Sequence, residues 1–315
     1  MFSNVPQALL EELASKPNLS KGKPAEFPTG DLDGENCGSY LKLKHGDDGD
    51  ERMTIITVLP NLETKDPGHI IAAVSGRTFL MFTGSELSVE VKNTEDPLKP
   101  YTLTFTTGEA LLHSIKAALF EDYEGLKKIY YAEDPKLAKS FGRKVKGFKP
   151  EVWTAIAPQA AAIINAFKCK QDLEVKGFIS RLAYHAAKHA IPFPENFRVL
   201  EAKDDTLYGT GLSHKDTMEL ITDYVDAGDI KILREKFSRM ESDPTMSWAR
   251  QYYPKMYPLT GFFPGQDWMG CAITKAIKWY MQDSPAIADA MQDSDEPPGA
   301  VTRTGSCKRL KTDEA

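Results

Sequence analysis

The chain has 315 residues, 41% hydrophobic and 27% charged, with a formal net charge of −6. That length is enough to bury a sizeable core in one large domain or two modest ones. The negative balance argues against wholesale electrostatic wrapping of nucleic acid, though it leaves room for a local basic groove.

In chain order, residues 7–15 read as a short amphipathic helix, and 16–50 as loop rich in Gly, Pro, Asp and Lys. MTIITVLP (53–60), HIIAAVS (69–75) and TFLMFTG (78–84) are β-rich runs bounded by Pro and Gly. LSVEVKN (87–93) and YTLTFTT (101–107) alternate in strand fashion. From 108 the pattern turns helical: 109–121, 123–132, 135–145 opening on a Pro, 150–170 with Pro158 inside, and 173–190. FRVLEA (197–202) reads as a strand leading into KDDTLYGTGL. Two helices follow, KDTMELITDYVDAG and KILREKFSRMES, then the aromatic stretch SWARQYYPKMYPLTGFF and a last helix at 268–283. Beyond about 287, Pro, Asp, Ser and Thr predominate and disorder is expected.

Several familiar sites are missing. MFSNVPQALLEEL lacks a basic n-region and carries acids in its apolar stretch, so it is not read as a signal peptide. No apolar run approaches the ~20 residues of a membrane helix. Cys37, Cys169, Cys271 and Cys307 form no CxxC pair and match no zinc spacing, which points to a reducing compartment. The expected location is intracellular, cytoplasmic or nuclear, with no membrane partner. His185 and His189 are spaced as HxxxH, but Ala186 stands where a zincin needs Glu, so they read as two surface histidines and no metal is expected. YGTGL (208–212) lacks the third Gly of a dinucleotide fingerprint, and there is no P-loop or GxSxG elbow. KRLK (308–311) is either a nuclear signal or a solvated tail.

In TTGEALLHSIKAALFED (106–122), Glu109 and Lys116 are seven residues apart, close to two helical turns, so both point the same way. Leu111, Leu112, Ile115 and Leu119 form the apolar stripe of that helix. The two charges are either a solvated edge or a site.

Five separated stretches, in order, resemble one family. TTGEALLHSIKAALFED is similar to the opening T-x-E-H-x-x-x-x-x-K helix of the NADAR domain, the family that includes the YbiA-like N-glycosidases, with Ala110 in place of the His. FGRKVKGFKPEVW (141–153), KCKQD (168–172) and VLEAKDDTLYGTGL (199–212) resemble its later segments, with Tyr208 in place of a Trp and one residue fewer between Glu201 and Asp205. GQDWMGCAI (265–273) resembles its closing turn and helix, with Asp267 in place of an Asn. The resemblance implies an α+β fold, mainly helical, with a small antiparallel sheet built from the N-terminal third and the residue 199 region. It divides the chain into an extension at 1–78, a NADAR-like domain at 79–285 with an insertion at about 214–262, and a disordered tail at 286–315.

The implied activity is an N-glycosidase that removes ADP-ribose from the exocyclic amine of guanine in DNA or RNA, without a cofactor. The alternatives are a small-molecule N-glycosidase acting on ribosylamino intermediates of riboflavin synthesis, and a non-catalytic ADP-ribose reader. On this reading Lys116, partly neutral through burial, attacks the sugar, and Glu109 brackets the substrate. Asp205 is the leading acid or base, and Glu201 a structural or sugar-binding acid. Tyr208 offers an aromatic face to the base, and Gly209 and Gly211 admit phosphate or ribose close to the backbone. Arg143, with Lys144, either holds phosphate or lies on a solvated helix face, as do Lys168 and Lys170. Asp267 either touches ligand or caps the last helix.

Overall fold

The structure is a computed structural model that describes residues 2–16, 31–45, 53–75, 86–206, 208–242 and 263–283. Its strands are β1 (Glu35–Asn36), β2 (Tyr40–His45), β3 (Met53–Val58), β4 (His69–Val74), β5 (Leu87–Val91), β6 (Tyr101–Phe105) and β7 (Phe197–Glu201). Its helices, numbered among the described residues, are α1 (Gln7–Ser15), α2 (Gly108–Leu119), α3 (Tyr123–Tyr130), α4 (Pro135–Gly142), α5 (Pro150–Gln171), α6 (Leu173–Lys188), α7 (His214–Asp226), α8 (Ile230–Ser242) and α9 (Trp268–Asp283). The fold is α+β and mainly helical. TFLMFTG, nearly all of SWARQYYPKMYPLTGFF, the 243–262 part of the expected insertion, and the tail with KRLK lie outside the described residues.

The expected single antiparallel sheet becomes two sheets. One has five strands in the order β1-β2-β3-β4-β7, and β5 pairs with β6 in a separate antiparallel hairpin. β7 runs parallel to β4, with Ala72 beside Val199, so the larger sheet is mixed. A parallel partner requires a long crossover, and everything from 86 to 196 supplies it. The region read as loop at 16–50 contains β1 and β2. YLKLKH alternates apolar and basic residues, a period-2 signal set among Gly and acids, and it pairs along its whole length with β3.

β3 and β4 are buried at every position because helices cover both faces of the sheet. Met53, Ile55, Ile70, Ala72 and Val74 pack with α5, α6 and α9. Ile56, Val58, Ile71 and Ala73 pack with Met218, Ile221 and Val225 of α7 and Leu233 and Phe237 of α8. The 214–242 stretch therefore roofs one face of the sheet.

The hairpin anchors a second core, with α1 to α4 and one side of α5. Phe2 stacks on Phe105, and Tyr130 donates its hydroxyl to the Leu13 carbonyl at 3.1 Å. α5 runs from Pro150 through Pro158 to Gln171, ~33 Å at 1.5 Å per residue, and supplies side chains to both cores. It thereby sets α2 and the end of β7 against one frame.

Candidate active site

α2 begins at a true cap. The Thr107 hydroxyl accepts from the Ala110 N–H at 3.1 Å, a contact worth about 1 kcal/mol. The helix then passes beneath α3, α4 and α5, so even its charged positions are buried: Glu109 is 2% exposed and Lys116 7%. That excludes the solvated-edge reading of the pair.

The two charges do not touch. Glu109 Oε1 lies 2.9 Å from His113 Nε2, and its Oε2 is buried with no hydrogen-bond partner. Lys116 Nζ donates to the Gly142 carbonyl at 2.8 Å, lies 3.9 Å from the centre of the Phe148 ring and 5.8 Å from that of Trp153. Among the described residues it forms no ion pair. Burial lowers its pKa from the ordinary 10.5, because an ammonium loses hydration there and gains no carboxylate in return.

Tyr208 faces this helix from the loop after β7. The Trp153 indole donates to its hydroxyl, and its ring meets Trp268 edge-on at 5.7 Å. Burial first, and then the nearby Glu109 charge, push the phenol up to about 12. Glu109, Lys116, Trp153 and Tyr208 thus form one neighbourhood, between α2 and the 201–211 loop.

That loop is wired to the backbone around it. The Glu201 carbonyl accepts from Thr210 N–H at 2.9 Å, and Asp205 Oδ1 accepts from Tyr208 N–H at 2.8 Å. A second segment clasps it: Gly265, Asp267 and Met269 donate their N–H groups to the carbonyls of Thr210, Gly209 and Tyr208. Gly209 and Gly211 are needed for this clasp. A Cβ on Gly209 would fall 2.7 Å from the Lys203 carbonyl oxygen, and one on Gly211, at φ +74°, 2.7 Å from Gly265 N.

Asp267 is likewise committed inside the protein. It is fully buried, with Oδ2 2.9 Å from Arg198 Nη2 and Oδ1 accepting from the Glu201 N–H at 2.8 Å, and its carboxylate also accepts from the Gly270 N–H. Its contact with Gly270, in the first turn of α9, matches the capping alternative, and both oxygens are engaged within the protein. Burial raises its pKa to about 6 against the pull of Arg198. Glu201 is buried at the end of β7. Arg143 follows Gly142 with its side chain exposed and, among the described residues, without an ion pair. Lys168 is 1% exposed, not solvated, whereas exposed Lys170 pairs with Asp283 at 2.8 Å.

Two further corrections concern histidines. His185 is not on the surface: it is 3% exposed, its Nε2 lies 2.7 Å from Thr57 Oγ1, and burial holds its pKa down at about 4. Its ring meets His189 at 4.7 Å, and no group of three metal-binding side chains occurs among the described residues. His113 is the residue that sequence reading passed over; its spacing of four from Glu109 was the available signal. Phe148, exposed in a basic loop, and Trp153, read as core, had no such signal.

A separate cavity of about 620 Å³ lies between the β3–β4 loop and the α7–α8 pair. The Asp66–Arg234 ion pair lines it, and none of the predicted site residues does. No helix among the described residues is long and apolar enough to cross a membrane.

No curated protein matches the chain. The NADAR domain family matches residues 76–223, a span that includes α2, α4, α5 and the loop through Gly211 and stops short of GQDWMGCAI. Residues 76–223 therefore carry a NADAR domain, of a family of N-glycosidase type.

Proposed function

We propose that the protein is an N-glycosidase that hydrolyses the bond between ADP-ribose and the exocyclic amine of guanine in DNA or RNA. The observation that carries this reading is the state of Lys116: buried, with a lowered pKa and, among the described residues, no carboxylate partner, about two helix turns from a buried carboxylate with an oxygen unpartnered among those residues. A structural lysine gains an ion pair, whereas a nucleophilic one needs its lone pair.

The chemistry follows from an open-chain sugar. Protonation of the ring oxygen opens the ring and leaves C1 as an iminium on the guanine nitrogen. The Lys116 lone pair adds to C1. The guanine amine takes a proton, for which Asp205 is the assigned donor, and leaves with the C1–N electrons. The lysine iminium that remains adds water and collapses to free lysine and the aldehyde form of ADP-ribose, which recloses. Glu109 accepts from sugar hydroxyls, Glu201 supports the loop that carries Asp205, and Tyr208 presents its ring to the base.

A nucleic-acid carrier is supported by local charge. Residues 135–150 contain Lys136, Lys139, Arg143, Lys144, Lys146 and Lys149 and no acid, in a chain of net charge −6. Arg143, Lys144, Lys146 and Lys149 are exposed around Phe148, whose ring stands over Lys116. A basic strip with an aromatic is the footprint expected for a phosphodiester chain with unstacked bases.

The test is incubation with a guanine-ADP-ribosylated oligonucleotide, with and without borohydride, beside Lys116→Ala. Wild type is expected to release ADP-ribose and to yield a trapped adduct that the variant does not form. Release without an adduct would remove Lys116 from covalent catalysis. No release, but cleavage of ribosylamino pyrimidines, would reassign the substrate to small molecules. Binding of ADP-ribose without any turnover would leave a reader.

A further inference from the structure

His113 lies half-buried beside the site and has no part in the reaction above. Its Nε2 contacts Glu109 Oε1 at 2.9 Å, with side-chain exposures of 12% and 2%. The remaining polar atoms of the pair, Glu109 Oε2 and His113 Nδ1, are both buried without a partner among the described residues. A carboxylate only accepts, so Nε2 carries the hydrogen of this bond. The unmet oxygen of Glu109 lacks a donor, and a buried acceptor left unmet in a native protein marks a place where something else supplies it.

Gly142 closes the arrangement. A Cβ there would lie 2.2 Å from His113 Nδ1 and 2.3 Å from Cγ, so the imidazole occupies space that only glycine leaves empty. The carbonyl of the same residue takes the Lys116 ammonium at 2.8 Å. One position at the end of α4 therefore sets both the ring that holds Glu109 and the amine that would attack. Glu109, His113 and Lys116 recur at spacings of four and three, one face of α2.

We infer that His113 is a positioning residue: its Nε2–H pins Glu109 Oε1 so that Oε2 stays free for a donor hydroxyl of the bound ribose. Gly142 is the gauge that keeps this pair in register with Lys116. The inference rests on the glycosidase reading of the same site, and ADP-ribose binding provides a readout that does not depend on turnover.

The test compares wild type, His113→Ala, His113→Gln and Gly142→Ala, each checked for native melting. The readouts are kcat and KM on the ADP-ribosylated oligonucleotide, ADP-ribose affinity by calorimetry, and the His113 tautomer by nitrogen NMR. Wild type is expected to show the Nε2–H tautomer. His113→Ala and Gly142→Ala should lose tenfold or more in kcat and weaken ADP-ribose. His113→Gln, whose amide N–H reaches the same position, should recover most of both. Equal impairment of the Ala and Gln variants would mean that the ring only fills space, and wild-type behaviour of His113→Ala would mean that Glu109 needs no support; either overturns the inference while the glycosidase stands. If wild type turns nothing over, the glycosidase reading fails. In that case, weakened ADP-ribose binding in His113→Ala would still support the positioning role, and unchanged or absent binding would end it.

Discussion

Two buried charge clusters flank the loop after β7, and they differ in how they are completed. At the β7–α9 junction, both oxygens of Asp267 are taken, by Arg198 and by backbone N–H groups. On α2, Glu109 keeps an unpartnered oxygen and Lys116 is held by one carbonyl and an aromatic face. A cluster completed from within fixes geometry. One left incomplete in a buried place costs stability and retains capacity for a ligand. Charge and burial alone would have ranked the two alike; hydrogen-bond accounting separates them.

The sharpest way to break this contrast is to truncate both. Lys116→Ala should lower turnover by at least ~10³-fold, a loss of about 4 kcal/mol of transition-state stabilisation, while shifting stability by no more than about 1 kcal/mol. Single-turnover assays and thermal melts measure the two effects. Asp267→Ala should do the reverse in kind. It takes the carboxylate away from the buried Arg198 guanidinium, costing about 3–5 kcal/mol, or a fall in melting temperature of roughly 10 °C. If the Asp267 variant melted normally, the junction would not be the clasp described above.

Smaller effects sharpen the comparison. Gly211→Ala forces a Cβ at φ +74° into Gly265 and should cost about 1–3 kcal/mol, with turnover falling because the loop that carries Asp205 and Tyr208 shifts. Denaturant melts of the variant, with assays at a temperature where it stays folded, would separate the two losses. Acid stability should report His185. Its native pKa of about 4 lies below the ordinary 6.5 of an imidazole, so the native state binds fewer protons in that window. Its contribution is complete above about pH 6.5 and is lost as pH falls toward 4, roughly 2–3 kcal/mol in all. Chemical denaturation from pH 7 to 4.5 should therefore show a shallower slope for His185→Gln. Least of all, Arg143→Ala should leave free ADP-ribose binding unchanged and flatten the salt dependence of oligonucleotide binding by about 0.7–0.9 in log–log slope. No change in that slope would detach the basic strip from the site.

Much of the fold was legible because its signals are local. Strand runs at 53–58, 69–74 and 197–201 are rich in β-branched and apolar residues, and helices α2, α3, α4, α6 and α7 carry side-chain caps that need no knowledge of their neighbours. The sheet was not legible in the same way. That β7 lies parallel to β4 across an intervening 86–196 segment, and that β5 and β6 leave the sheet altogether, depends on which faces the helices cover. The site was half legible. The spacing of Glu109 and Lys116 showed a shared face, but whether that face met water or protein lay beyond a single helix. His113 was missed because its spacing of four from Glu109 is a weak signal on an apolar stripe until Gly142 is seen against it.

By itself, the sequence determined the α+β composition, the order of the described elements from β3 onward and the Glu109–Lys116 face, since propensity, capping and periodicity act over a few residues. Tertiary packing alone decided which charges are complete. It brought Gly142 onto His113 and Lys116, Trp153 onto Tyr208, and Arg198 onto Asp267. Burial sets the cost of every unmet hydrogen bond, and burial is a property of the whole fold rather than of any segment.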